Sequence, residues 1–193
     1  MKPRPFVFVI CLMAFGATAL AAAQATEAAW ARLATGGYTV LMIHADAPGI
    51  GDPPFFDLED CTTQRNLSDR GRQQARRQGV RFAARAVSIN RVYSSRWCRT
   101  METAENAFRV TAEPLEALDH VEDEEALEAQ SQAVIDVIKA FRGPGNQVMV
   151  THPENVEALT GITPRPGEAV IVAPARGDGE NPGITVAARL LLN

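Results

Sequence analysis

Two histidines in this sequence directly follow short apolar runs that are typical of buried strands. His44 comes after Val40 to Ile43, and His152 comes after Gln147 to Thr151. Proline and glycine crowd the segment 48–54, so the first strand is expected to end at His44. Because ligands bind at the carboxyl ends of strands in open α/β sheets, the two imidazoles are predicted to meet at one functional edge.

An arginine is predicted to lie at the same edge. Another short strand is predicted from Ile89 to Tyr93, and Ser94 and Ser95 follow it. The next helix is predicted from about Trp97 to Phe108. It carries Arg99 in its first turn. A helix N-terminus favours anions, and a guanidinium matches phosphate oxygens with a planar fork. A neutral imidazole can attack phosphorus. These residue types therefore predict a phosphoryl-transfer site, which needs mainly positioning and charge stabilisation.

Local patterns also predict the elements that position these residues. Ser68 is a favourable N-cap for a helix that extends to about Ala86. The predicted apolar face of that helix consists of Ala75, Val80, Phe82 and Ala83. Further helices are predicted at 26–34, Asp123 to Phe141 and 153–160, and further strands at Val110 to Leu118, Ala169 to Ala173 and Ile184 to Leu192, the last two as a hairpin. Alternating strands and helices predict an α/β domain with a largely parallel sheet.

The chemistry-bearing residues resemble the motifs of the histidine phosphatase (phosphoglycerate mutase-like) superfamily. Ile43-His44-Ala45 matches two of the three positions of that family's Arg-His-Gly or Arg-His-Ala motif. Ser95, Arg99 and Thr103 match its Ser, Arg and Thr at four-residue intervals, and His152 matches the histidine after a late apolar strand. Three such pieces in the right order make the resemblance fairly specific.

The resemblance covers about residues 38 to 173. It includes Thr63 to Ser68 with Gly71, and Gly167-Glu168 before a late strand. The phrases Asp-Cys-x-Thr-Gln-Arg-Asn-Leu and Trp-Cys-Arg are similar to those of exported bacterial members of the family.

The resemblance implies a fold and a reaction. The expected fold is a three-layer α/β/α sandwich with a mostly parallel central sheet. The expected activity is metal-independent hydrolysis of phosphomonoesters through a phosphohistidine intermediate. His44 would be the nucleophile, while Arg99 and His152 would hold and neutralise the phosphoryl group. Arg65 is a further candidate for the same phosphate pocket.

The proton donor to the leaving group stays open at this point. Asp46, Glu116 and Asp119 are all candidates, and their spacing does not choose among them. His120 lies in an acidic stretch and is expected to be solvated. No two histidines have a metal-ligand spacing such as i, i+4, so neither a metal nor another cofactor is expected.

One residue departs from the family pattern. Ile43 stands where the family has the arginine that clamps the phosphate beside the nucleophile. Loss of one preorganised donor costs on the order of 3 kcal/mol, or roughly 10²–10³ in rate. Three interpretations follow: a weak or specialised phosphatase in which a neighbouring arginine replaces the lost charge, a pseudophosphatase that binds a phosphorylated ligand or protein partner, and a domain whose family residues are leftovers.

The first 25 residues have the pattern of a secretory signal peptide. Lys2 and Arg4 precede the apolar run Phe6 to Leu20, and small residues allow cleavage after Ala23 or Ala25. The apolar run is short for a retained membrane anchor. We therefore expect an exported protein, located in the periplasm.

Residues 26–193 are predicted to form one histidine phosphatase-like domain. The whole chain has a formal net charge of −4, and loss of Lys2 and Arg4 with the signal peptide makes it more negative, which disfavours nucleic acid as a partner. No second segment is expected to span a membrane after signal cleavage. The expected partner is a small phosphorylated substrate, and the exported location suggests a sugar or another cell-envelope component.

Two cysteines, Cys61 and Cys98, follow the predicted signal peptide. Because an exported protein meets an oxidising compartment, a disulfide between them is a candidate, with two buried thiols as the alternative. The bridge would close a loop of roughly 37 residues and stabilise the fold by about 3–4 kcal/mol in the chain-entropy model.

Overall fold

The structure is a computed structural model, and it describes residues 23–175 and 183–192. Most of the predicted signal peptide lies outside the described residues. The helices are α1 (23–35), α2 (Asp69–Ala84), α3 (Cys98–Phe108), α4 (Glu124–Ala140) and α5 (Pro153–Thr160). The strands are β1 (Thr39–Ile43), β2 (Ile89–Ser94), β3 (Glu113–Pro114), β4 (Asn146–Thr151), β5 (Glu168–Pro174) and β6 (Ile184–Leu191).

The six strands form one mixed sheet in the order β3-β2-β4-β1-β5-β6. Neighbours from β3 to β1 pair in parallel, whereas β5 is antiparallel to both β1 and β6. The predicted hairpin of the last two strands is therefore confirmed. Ile43 at the end of β1 pairs with Thr151 at the end of β4. His44 and His152 consequently leave adjacent parallel strands at the same level.

Helices cover both faces of the sheet, because the buried central strands present apolar side chains to both sides. Val40 and Met42 belong to the core cluster shared with α1, α2 and α3. Leu41 and Ile43 belong to the opposite cluster, which includes side chains from α4 and α5. The predicted three-layer α/β/α sandwich is thus confirmed.

Helix α2 differs from its prediction in the residues that it buries. Val80 is 65% exposed, and Ala83 is exposed as well, so neither lies on the buried face. The reason is Gly79, where a Cβ atom would collide with the carbonyl oxygen of Ala107 in α3. The two helices approach through this glycine, which turns Val80 towards solvent.

Strand β3 is much shorter than the predicted segment Val110 to Leu118. Pro114 has no N–H to extend the ladder, and the chain continues into a 3-10 turn at Glu116–Leu118. This early turn leads the chain to Asp119 and His120 beside the sheet edge.

The start of α2 is fixed against the loop that follows His44. Ser68 caps the helix as predicted, because its Oγ accepts a hydrogen bond of 3.0 Å from the amide of Gly71. The amide of Ser68 donates to the carbonyl oxygen of Asp46 at 3.0 Å. A Cβ atom on Gly71 would collide with that same oxygen, so only glycine permits this approach.

Within the described ranges, no helix has the length and apolar character that are needed to cross a membrane.

Candidate active site

His44 is held with one ring nitrogen unprotonated. Its Nδ1 lies 2.8 Å from the carbonyl oxygen of Ala45, which can only accept, so Nδ1 carries the proton and donates. Nε2 therefore keeps its lone pair. Ala45 is itself fixed by its amide, which donates to Thr103 Oγ1 at 2.9 Å. Burial, and then the positive charge of Arg99, lower the pKa of His44 to about 4, so the imidazole is neutral at pH 7.

His152 lies directly beside His44, with the two ring centroids 5.6 Å apart. Arg99 Nη2 lies 3.3 Å from Nδ1 of His152 and can only donate, so the proton of this imidazole lies on Nε2. Nε2 donates to Ser95 Oγ over 2.9 Å. Burial and the Arg99 cation lower the pKa of His152 well below its ordinary value. The second histidine is therefore also neutral.

Arg99 is buried and is already paired with a carboxylate. Its Nη1 donates to both carboxylate oxygens of Asp52, at 2.9 and 3.0 Å, and the side chains are only 2% and 5% exposed. The indole N–H of Trp97 donates to the same carboxylate at 3.0 Å. Arg99 Nε, in contrast, has no hydrogen-bond partner among the described residues. One edge of the guanidinium is thus neutralised, and one buried donor is left for a ligand.

The pKa of Asp52 reflects this environment. Burial raises it, but the amide of Arg65 and the charge of Arg99 outweigh burial and hold the pKa below its usual value. Asp52 is therefore ionised at pH 7. Sequence reasoning missed this residue, because nothing in the segment 48–54 distinguishes its carboxylate from an ordinary solvated one.

Arg65 shapes the site without presenting a free guanidinium to it. Its Nη1 and Nε donate to the carbonyl oxygens of Ala47, at 2.6 Å, and of Gly51, at 2.9 Å. Its amide donates to Asp52 Oδ1 at 3.0 Å. Arg65 thus fixes the loop that carries Asp52, and its charge contributes to the low pKa of both His44 and His152.

His120 lies in the site rather than in solvent as expected. Its ring centroid is 5.5 Å from that of His152, and its Nδ1 contacts the carboxylate of Glu154. The hydrogen bond to Glu154 raises the pKa of His120 despite partial burial. Burial raises the pKa of Glu154, but His120 outweighs burial, and the net direction is downward. The two residues form an ion pair. Because they are 34 positions apart in the sequence, no local sequence pattern predicts this pair.

The three candidate proton donors occupy different places. Asp119 is buried, and its carboxylate accepts from the backbone and side chain of Arg96, at 2.8 and 2.6 Å. Glu116 pairs with the same arginine at 3.1 Å and is largely exposed. Asp46 instead lines a cavity with His44, and its Oδ2 accepts from Ser68 Oγ at 2.6 Å. Of these three candidates, Asp46 is the one that lines the described cavity beside His44.

The cavity beside His44, here called the His44 cavity, has a volume of about 460 Å³. It lies over the ends of β1 and the loops before α5 and β5. Its lining consists of Ile43, His44, Ala45, Asp46, Ala47, Arg70, Gln74, Arg77, Pro153 and Pro166. Ile43, which stands where the family has its arginine, is thus one of the lining residues.

A disulfide joins Cys61 to Cys98, with Cα atoms 5.7 Å apart. It ties the loop that carries Arg65 to the first turn of α3. Gln64 strengthens this link, because its Oε1 accepts from the amide of Cys98 at 3.0 Å. The bridge therefore helps to position Arg99. In the described part of the chain, no group of three or more His, Cys, Asp or Glu residues is placed to hold a metal ion.

A model of the histidine phosphatase superfamily (branch 1) matches residues 61–122. Solved phosphatases share the architecture. The protein histidine phosphatase SixA, solved with tungstate, is 20% identical with a TM-score of 0.57, over 80% of this chain and 97% of that chain. The chain has the histidine phosphatase fold. Together with the sequence motifs, the family match confirms the resemblance to this superfamily and supports a phosphatase.

Two further solved phosphatase structures are similarly distant. A phosphoserine phosphatase from Entamoeba histolytica, solved as a mutant bound to phosphoserine, is 11% identical with a TM-score of 0.58, over 79% of this chain and 95% of that chain. A candidate alpha-ribazole-5'-P phosphatase from Escherichia coli K-12 is 13% identical with a TM-score of 0.63, over 79% of this chain and 96% of that chain. Among curated proteins, none matches the sequence.

Proposed function

We propose that this protein hydrolyses phosphomonoesters without a metal, through a phosphohistidine on His44. The observation that carries the proposal is that the site holds both an unprotonated Nε2 on His44 and a buried Arg99 Nε that has no hydrogen-bond partner among the described residues. An orphaned cationic donor is costly to bury, and an oxyanion would satisfy it. His152 and Arg99 lie side by side, where they suit the equatorial oxygens of a phosphoryl group.

The reaction has two displacements at phosphorus. In the first, Nε2 of His44 forms a bond to phosphorus while the bond between phosphorus and the ester oxygen breaks, and the leaving oxygen takes a proton. In the second, water attacks phosphorus, the N–P bond breaks, and inorganic phosphate leaves with His44 restored. Two groups are candidates for the acid: His120, which Glu154 favours in its protonated form, and Asp46, which lines the His44 cavity.

The absence of an arginine at position 43 favours a slow enzyme. Ile43 is 8% exposed and packs in the core cluster of α4 and α5, so it supplies no charge to the phosphoryl group. Removal of one such donor lowers the rate by roughly 10²–10³.

The experiment that tests the proposal is hydrolysis of p-nitrophenyl phosphate in EDTA by the purified protein and by His44→Asn. Asparagine can still donate to the carbonyl oxygen of Ala45 but cannot attack phosphorus. We expect measurable hydrolysis in the parent, none above background in His44→Asn, and an acid-labile phosphoprotein on rapid quenching of the parent alone. Equal activity in both proteins would overturn the proposal.

The second candidate function is a pseudophosphatase that binds a phosphorylated ligand or a protein partner. The observation that favours it is the Arg99–Asp52 pair, because a carboxylate already neutralises the arginine that a phosphoryl group would need. Binding of vanadate or phosphate by the parent, without hydrolysis of any phosphomonoester, would support this function over the first.

We also propose that the protein works outside the cytoplasm, in the periplasm, on a phosphorylated sugar or another envelope component. The leader-like pattern of residues 1–25 supports this location. Cell fractionation with an antibody against the folded domain tests it, and a protein found only in the cytoplasm would contradict it.

A further inference from the structure

The His44 cavity extends beyond the place where a phosphoryl group would react. The phosphoryl group is expected between His44, His152 and Arg99, on the β4 side of the nucleophile. The cavity is lined on its other sides by Pro153, Pro166 and residues of the outer face of α2. A volume of about 460 Å³ falls within the range of small-molecule sites and leaves space for the remainder of a substrate.

Helix α2 presents two arginines to this cavity. Arg70, Gln74 and Arg77 lie at i, i+4 and i+7, which places them on one face of the helix, and all three line the cavity. Gln74 is anchored there, because its Oε1 accepts from the amide of Asp46 at 3.0 Å. The two arginines thus line the same cavity as the loop that follows His44.

No carboxylate of the described residues forms an ion pair with either arginine. Within the described ranges, Arg70 and Arg77 form no ion pair, whereas their neighbour Arg72 binds both Glu102 and Asp69. Among the described residues, Asp46 is the one carboxylate in the lining, and Ser68 holds its Oδ2. The described lining therefore combines two arginines with a single carboxylate.

We infer that Arg70 and Arg77 bind a second anionic group of the substrate, while its first phosphoryl group reacts at His44. The preferred substrate class is therefore a phosphomonoester that carries another phosphate or a carboxylate. The planar guanidinium of arginine can donate two parallel hydrogen bonds to either group. This inference rests on the proposed function for the position of the reacting group.

The test compares glucose 1,6-bisphosphate with glucose 6-phosphate, which differ by one phosphate. The parent is expected to show at least a tenfold higher kcat/KM for the bisphosphate, mainly through KM, and the preference should weaken with added salt. The double variant Arg70→Ala/Arg77→Ala should bring the ratio close to one, because kcat/KM falls much more for the bisphosphate than for the monophosphate. Arg70→Lys/Arg77→Lys should keep much of the preference.

Arg81→Ala is the control for a general effect of helix charge, because it removes one positive charge from the same helix outside the cavity lining, whereas the double variant removes two. It should leave the tenfold preference intact. A parent without preference, an equal loss on both substrates in the double variant, or the same loss in Arg81→Ala would overturn the inference.

Calorimetric titration separates this inference from the proposed function. If neither sugar phosphate is hydrolysed, the dissociation constants of the two compounds still report the site. A parent that binds the bisphosphate at least tenfold more tightly, with the difference lost in the double variant, supports the arginine site even when catalysis is absent. Equal dissociation constants would overturn it.

Discussion

We expect Asp52 to compete with a phosphoryl group for Arg99, and the substitution Asp52→Ala tests this competition. Both side chains of the pair are almost fully buried, at 2% and 5% exposure. Removal of one partner from a buried ion pair costs about 3–5 kcal/mol, because the other charge stays buried without compensation. At about 2–4 °C per kcal/mol for a protein of this size, the melting temperature of the variant should fall by about 6–20 °C.

Vanadate should restore part of this loss. Freed from Asp52, the guanidinium of Arg99 has more donors for an oxyanion, so the variant should bind vanadate at least tenfold more tightly than the parent. A tenfold gain corresponds to about 1.4 kcal/mol of additional stabilisation, or about 3–6 °C, at a saturating concentration. The assay is thermal unfolding with and without vanadate.

Two further variants make the assay decisive. Asp52→Asn keeps the shape of the side chain and removes only its charge, so it should show a smaller loss of stability and a similar gain from vanadate. Glu59→Gln removes a charge from the same loop, at an exposed carboxylate away from the buried ion pair, and should behave as the parent. If vanadate stabilises Asp52→Ala and the parent equally, Asp52 does not occupy the phosphate site and the reasoning is refuted.

Three other changes test the site. Ile43→Arg should raise phosphatase activity at least tenfold by returning a donor beside the nucleophile, and no gain in initial rate would show that the site works without it. The rate should fall as the pH falls through the pKa of His44, about 4, because the protonated imidazole cannot attack, and again as the pH rises past 6.5 through the raised pKa of His120. His120→Gln should remove this second decline relative to the parent, and an unchanged pH–rate profile would exclude His120 as the acid. Replacement of both Cys61 and Cys98 by serine should lower the free energy of unfolding by about 3–4 kcal/mol in urea denaturation, whereas an unchanged midpoint would contradict the stabilising role of the bridge.

The local sequence determined most of the elements and the residues at the strand ends. Apolar runs ending at His44 and His152, and the cap at Ser68, act over a few residues, so each can be recognised without knowledge of the rest of the chain. The alternation of these elements then indicated an α/β sheet with both histidines at one edge. Where prediction failed, as at Val80, the cause was the contact of two helices through a single glycine.

Only the tertiary structure decided which partners these residues meet. Asp52 and Arg99 are 47 positions apart, and His120 and Glu154 are 34 apart, so neither pair leaves a local spacing that sequence reasoning can detect. A carboxylate in a loop of proline and glycine has the same sequence pattern whether it is solvated or buried against a guanidinium. Charge, pKa and access at the site of His44 depend on these long-range contacts, which form only when the strands and helices pack.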